Sequence, residues 1–181
     1  MLKIFGSDKI KLGSNFIFME QIDVVNDNDE IIGTANHDDI YTRSFNRRIV
    51  HVLIFNSKGE LALQLRAKTK KYLPGYWSTS IGGHVQAGED CLDAAKREME
   101  EEIGISKKID FLWKDTFNAS EGNYIKFLYT YKLIFDGPFK INPEEVEKME
   151  FFSLDKIRRM IKDSGKFHPE LIFLLKKHYN L

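Results

Sequence analysis

From Gly83 to Ile105 the chain reads GHVQAGEDCLDAAKREMEEEIGI, a loop that runs into one amphipathic helix. Over about Asp90 to Ile103, Leu92, Ala95, Met99 and Ile103 recur at helical spacing and form an apolar stripe. Glu98 and Glu101 fall on the far side of that stripe and Glu102 on its flank, and Gly104 is placed to cap the C-terminal end. Three carboxylates thus gather where the helix dipole already disfavours negative charge. Glu98 and Glu102 are four residues apart and Glu98 and Glu101 three, so like charges face one another unless a cation intervenes. A divalent metal is the expected cation.

Composition narrows the setting. The chain has 181 residues, 43% of them hydrophobic, which suits one globular domain with a real core. Twenty-seven basic residues balance twenty-seven acidic ones, so no global positive field favours a nucleic-acid polymer as partner. The single Cys91 can make neither an internal disulfide nor a cysteine zinc cluster, which fits a reducing compartment and makes the cytoplasm the expected location. Ser7, Asp8, Lys9 and Lys11 break up the N-terminus early, and no segment approaches the roughly 20 apolar residues of a membrane span. No membrane partner is expected.

Strands are expected on both sides of the helix. Residues 17–25 and 31–34 read as a hairpin around Asn26-Asp27-Asn28-Asp29, and residues 48–55 and 60–66 as another around Asn56-Ser57-Lys58-Gly59. A basic loop at 67–76 and a brief strand at 77–81 lead into Gly82-Gly83. Residues 109–117 and 124–135 read as longer strands, 150–152 as a short one, and 154–163 and 169–178 as closing helices. This order argues for an α/β fold with a mixed sheet. No repeat or low-complexity linker divides it, so one domain is expected over 1–181, with an N-terminal extension at 1–16 and a core at about 17–178.

The spacing of Gly83, Glu89, Arg97-Glu98, Glu101-Glu102 and Gly104-Ile105 matches the signature of the Nudix family without a departure. The resemblance implies an α/β/α sandwich, a loop-helix-loop metal site, and a metal-dependent hydrolase of diphosphate linkages. It implies Glu98, Glu101 and Glu102 as metal ligands, with the Gly83 carbonyl often joining them. It also implies Arg97 and Glu89 as a structural bridge. An all-oxygen donor set suits Mg²⁺ or Mn²⁺ rather than zinc. Homodimers are frequent in the family, and the expected partner is a small-molecule diphosphate.

Outside the signature, EQIDVVNDNDEIIGTA and the run from Asn46 to Glu89 resemble the branch that contains isopentenyl-diphosphate isomerase. That enzyme needs a cysteine just before its Gly-His, where this chain has Gly82 in WSTSIGGHV. Cys91 lies within the helix and does not replace it. Tyr124, Ile125, Lys126 and Phe127 stand where the isomerase's glutamates are expected, with Glu121 nearby, and Arg47 where one of its metal histidines would be. A glycine cannot move a proton on carbon, so hydrolysis at phosphorus is the expected reaction, with isomerisation or phosphate-ligand binding without cleavage as alternatives.

Further candidates surround the signature. His84 matches a metal-binding histidine of the isomerase and is a candidate contact for a phosphate. Arg66 and Lys71, with Lys68 and Lys70, are placed to offset a phosphate chain. His51 alternates with apolar neighbours and reads as structural, and His37, His168 and His178 show no ligand spacing. In the acidic run near 144–150, Glu145 or Glu147 is the candidate general base, alongside Glu101 and Glu102 themselves.

Overall fold

The computed structural model describes residues 7–12, 15–41, 43–119 and 122–181. Strands β1 (Ser7–Leu12), β2 (Asn15–Val25) and β3 (Ile31–Asn36) form a three-stranded sheet in that order. A short 3-10 turn at His37–Tyr41 follows. Then come β4 (Arg47–Phe55), β5 (Leu61–Arg66), β6 (Trp77–Ser78), β7 (Ile81–His84), helix α1 (Cys91–Ile103), β8 (Asp110–Ala119), β9 (Tyr124–Ile134) and β10 (Val146–Phe152), with helices α2 (Leu154–Ser164) and α3 (Pro169–Tyr179) closing the chain. The larger sheet runs β10-β5-β4-β9-β8, with β6 beside β5 and β7 beside β4. The architecture is α/β with a mixed sheet, as expected.

Two differences from the sequence reading have local causes. The acidic run that reads as loop and short strand becomes the seven-residue edge strand β10, whose register against β5 shifts between Val146 and Lys148. Its Glu147, Lys148 and Glu150 face solvent, a usual device for an edge strand and a pattern easily taken for a loop. Within the N-terminal extension, β1 pairs with β2 from Ser7↔Glu20 to Leu12↔Asn15, although its alternating lysines and apolar residues are too short a signal to read alone. Residues 1–6, 13 and 14 of the N-terminal extension, and Glu121, lie outside the described residues.

Two compact units divide the chain. The first takes the chain as far as Val50 with Gly83–Ala94 and Lys114–Tyr129, and the second takes His51–Gly82, Ala95–Trp113 and Thr130–Leu181. The second holds a core of Leu53, Phe55, Leu61, Leu63, Ile157, Phe167, Leu171 and Leu175. Helix α2 starts on Ser153, whose hydroxyl accepts from the Lys156 N–H, and stops at Gly165 with φ 65°.

Both expected hairpins form, on one turn chemistry. Asn26 Oδ1 accepts from the N–H groups of Asn28 (2.9 Å) and Glu30 (3.0 Å), and Asn56 Oδ1 accepts from Lys58 (3.0 Å) and Glu60 (2.9 Å). The left-handed position is Gly59 in the second turn, at φ 77°, but Asp29 in the first, at φ 64°. A side chain at that position lets Asp29 serve the first unit. Its buried carboxylate accepts from Arg48 Nε (2.7 Å) and Tyr129 OH (2.5 Å) and pairs with Lys114 Nζ at 2.5 Å.

Burial raises the Asp29 carboxyl, but hydrogen bonds from Lys114, Tyr129 and Arg48 outweigh it and hold the group below its ordinary value of 3.8. A folded value lowered in this way stabilises the protein at neutral pH, and the stabilisation fades as pH falls below about 4 through the folded value. Asp29→Asn keeps a residue that tolerates positive φ and removes only the charge. Urea unfolding is expected to show a loss of about 3 kcal/mol at pH 7 and a smaller difference from wild type at pH 3.

Candidate active site

Asp90 opens α1, with Oδ1 accepting from the Leu92 N–H at 2.8 Å. Of the expected apolar stripe, Ala95, Met99 and Ile103 are buried, together with Ala94, while Leu92 is only half-buried. At the far end Gly104 takes φ 67°, and a Cβ there would come within 3.2 Å of Lys140 Cβ. Segment 140–142 supplies the missing helix-end donors: Lys140 N–H to Ile103 O at 3.1 Å and Asn142 N–H to Glu102 O at 2.8 Å. The last turn contains no basic residue.

In the second unit, the three glutamates differ in environment. Glu101 is open to solvent with its side chain 57% exposed, Glu98 is mostly covered at 14%, and Glu102 is buried. Arg97 Nη1 donates to Glu98 Oε1 at 2.8 Å and to Glu101 Oε2 at 3.2 Å. Glu102, expected on the flank of the apolar stripe, turns inward and accepts from the Gln64 amide at 3.2 Å. Burial, together with the carboxylates of Glu98 and Glu145, pushes the Glu102 carboxyl well above the ordinary range, against the weaker pull of Lys70 and Arg66. Among the described residues no three His, Cys, Asp or Glu side chains stand close enough to hold a metal as oriented here. Arg97 Nη1 engages one oxygen each of Glu98 and Glu101 and holds the two carboxylates side by side. The oxygen-only donor set and the unfavourable charge of Glu102 fit a hard divalent cation.

The basic loop is anchored beside this helix end. Arg66 uses Nε and Nη2 to hold the Tyr72 carbonyl, at 3.2 and 3.0 Å, and so shapes the loop that follows β5. Lys70 pairs with Glu145, Lys68 Nζ lies 3.9 Å from Glu147 Oε1, and the Thr69 hydroxyl donates to Glu144 O at 2.9 Å. Lys71 is exposed. Glu102, Glu145, Lys70 and Arg66 are therefore one electrostatic group. Gln64 escapes the sequence reading, since a glutamine in LALQLR marks only a break in an apolar alternation.

In the first unit, Gly83 and His84 end β7, and Glu89 Oε2 accepts from the Gln86 N–H at 3.0 Å, closing the loop before α1. The same loop is fastened to β2, where Ala87 N–H donates to Gln21 O (2.8 Å) and Gly88 N–H to Asp23 Oδ2 (3.1 Å). His84 Nδ1 lies 3.2 Å from His37 Nε2 with the rings edge-on. Forty-seven residues separate this pair in sequence, and no spacing signals it.

Gly82 has a structural reason. A Cβ there would lie 3.0 Å from His51 Nδ1 and 3.3 Å from Thr79 Oγ1, which are themselves hydrogen-bonded at 2.9 Å. Thr79 gives its single hydroxyl proton to Ile81 O at 2.9 Å, so His51 Nδ1 is the donor to Thr79. His51 Nε2 then meets the buried Glu170 Oε2 at 3.0 Å. Any side chain at 82 presses on this buried chain.

A family model for the NUDIX domain matches residues 45–175. The chain is 31% identical over 175 residues to an uncharacterized Nudix hydrolase of Listeria monocytogenes, spanning 90% of this chain and 95% of that one. It is 29% identical over 153 residues to an isopentenyl-diphosphate Delta-isomerase of Pectobacterium atrosepticum, spanning 82% and 86%. The crystal structure of DR0079 from Deinococcus radiodurans superposes with a TM-score of 0.78 at 26% identity, over 88% of this chain and 99% of that one. Among the described residues no helix is long and apolar enough to cross a membrane.

Cys91 supplies no thiolate at neutral pH. Burial, reinforced by the Asp90 and Asp29 carboxylates against Arg48 and Lys114, pushes its thiol up to about 12. Alkylation of the folded protein by iodoacetamide at neutral pH is expected to run about a thousandfold slower than that of a free cysteine, and to recover in denaturant, as followed by intact mass.

Proposed function

The chain belongs to the Nudix family, and from that premise we propose that it is a Mg²⁺-dependent hydrolase that cleaves a diphosphate linkage by attack of water at phosphorus. The enzyme is a pyrophosphohydrolase, and the family acts on substrates that contain a diphosphate. The finer reading places the substrate among nucleoside diphosphates linked to a second moiety and related organic diphosphates. The observation that carries it is Glu102, a carboxyl buried at the negative end of α1 beside Glu98 and Glu145, where a bound cation would favour its ionised form.

Glu98, Glu101 and Glu102 are the residues that would hold the ion, and the signature alone adds the Gly83 carbonyl. A bound divalent cation supplies charge neutralisation on the phosphate oxygens and acidifies water. Glu145 is the general base in this reading. It sits in the electrostatic group of Glu102, and Lys70 holds it in place from across the loop. As water adds to phosphorus and the anhydride P–O bond breaks, its proton passes to Glu145. Lys70, Lys71 and Arg66 offset the charge of the phosphates, and Arg97 orients Glu98 and Glu101 before the ion arrives. His84 remains a candidate contact to a phosphate.

The same reading takes the chain as one Nudix domain over 1–181, acting on a small molecule in the cytoplasm, with a homodimer as the family's common assembly. An isomerase activity is the second reading, favoured only by the relationship to the Pectobacterium enzyme. Gly82 speaks against it, because the position that would need a cysteine is filled by the His51–Thr79 contact.

With Mg²⁺, cleavage of organic diphosphates from a panel into two phosphomonoesters, read as phosphate after added alkaline phosphatase, is expected, and it is expected to vanish when EDTA is present during the cleavage step. On the substrate so found, Glu102→Gln is expected to abolish turnover and Glu145→Gln to lower kcat about a hundredfold, both with unchanged circular dichroism. Wild-type rates in both variants would overturn the assignment. Isopentenyl diphosphate incubated in deuterated water is expected to take up no deuterium, and uptake would revive the isomerase reading.

A further inference from the structure

Two adjacent arginines at the start of β4 meet opposite fates. Arg48 is paired through Nε with the Asp29 carboxylate, and its Nη2 reaches the Asp29 carbonyl at 2.6 Å. Arg47 is more deeply buried, at 4% exposure, yet no carboxylate among the described residues meets it. Its Nη1 donates to the Phe45 carbonyl at 3.1 Å and its Nη2 to the Tyr124 hydroxyl at 3.3 Å. The Nε–H is buried with no partner among the described residues. Among the described residues, two of the five N–H donors of this guanidinium are engaged.

The surroundings add positive charge and an aromatic floor. Arg47 Cζ stands 4.5 Å from the centroid of the Tyr124 ring. Lys126 Nζ, on the same strand β9 and 6% exposed as a residue, stands 5.9 Å from that ring and 6.0 Å from Phe117. The backbone is shaped to bring the ring in. A Cβ on Gly122 would fall 2.7 Å from the Tyr124 ring and from Ser44 Oγ, so only glycine lets the turn close over Tyr124. Asn46 fastens the start of β9 beside Arg47, with Oδ1 accepting from the Ile125 N–H at 2.7 Å.

Ring contact and two neutral acceptors compensate a buried guanidinium only in part, because removing an ion from water costs several kcal/mol unless an opposite charge answers it. We propose that Arg47, with Lys126 and the Tyr124 ring, forms an oxyanion-binding site in the first unit that takes a phosphate or carboxylate group through the open guanidinium donors. The planar fork of Arg47 suits two oxygens of one anion, and Lys126 adds a second charge near the same ring. This site stands on groups separate from the acidic end of α1, and its existence does not depend on the reaction proposed above.

The arginine Nε–H region of the nitrogen-15 NMR spectrum reads it directly, on the full chain with divalent cations removed by EDTA. The Arg47 cross-peak is assigned by its loss in Arg47→Lys, or by its nuclear Overhauser contacts to Tyr124 should that variant not fold. Inorganic phosphate is expected to shift this cross-peak saturably, with half-saturation in the low millimolar range, and Lys126→Gln to weaken binding by about tenfold. A saturable shift with sodium acetate as well supports the site and assigns carboxylates to it; a shift with phosphate alone supports it and restricts the ligand to phosphates. A cross-peak that neither anion moves, or that sodium chloride at matched ionic strength moves equally, overturns the proposal. Because no metal or turnover enters the measurement, this outcome is independent of the hydrolase assay.

Discussion

A buried strand tolerates a polar side chain only where some other group satisfies it, and β4 puts that constraint at the centre of this protein. Every residue of the strand from Ile49 to Phe55 is buried, and Arg47 is too, yet the strand carries Arg47, Arg48 and His51. Leaving such groups unanswered costs several kcal/mol each. Three separate arrangements meet the demand. Arg48 reaches the Asp29 carboxylate, and His51 is held between Thr79 and Glu170. Arg47 lies on the Tyr124 ring, its Nε–H without a partner among the described residues.

Each arrangement fixes chain far from β4. Satisfying Arg48 demands a side chain at the left-handed position of the first hairpin, which explains why Asp29 stands where the second hairpin has Gly59. Satisfying His51 binds β4 to the start of α3 through Glu170 and leaves no room beside it, which is why position 82 is glycine. The absence of an isomerase-type cysteine at this position goes with the packing of His51 and Thr79 beside it. A Cβ at position 82 would press on His51 and Thr79, which would have to give by a few tenths of an ångström.

At the end of α1 the same rule acts with the sign reversed. Glu102 is buried with a neutral amide as its hydrogen-bond donor, while Glu98 and Glu145 add negative charge nearby. Arg97 gathers the more exposed Glu98 and Glu101 and offsets part of the repulsion. Segment 140–142 closes the helix end by backbone donors, which satisfies the last carbonyls without adding a positive side chain. The helix end keeps an excess of negative charge that suits a hard cation.

The helix, its apolar stripe, the two hairpins and the closing helices were legible because each is written in a local period or turn motif of neighbouring residues. The spacing of Glu98, Glu101 and Glu102, within the longer signature, likewise carried the family, since three- and four-residue intervals become proximity on any helix. Strand β10 was not fully legible, because an edge strand with solvent-facing charges has the composition of a loop. Nor could any local pattern announce that Glu102 turns inward to Gln64, that Lys70 pairs with Glu145 or that His37 meets His84. The sequence by itself determined the elements and the identity of the acidic helix. Only the tertiary structure decided which charges are buried and which groups answer them, because burial and pairing across 38, 75 or 47 residues depend on how strands are laid side by side, and no short-range period encodes that.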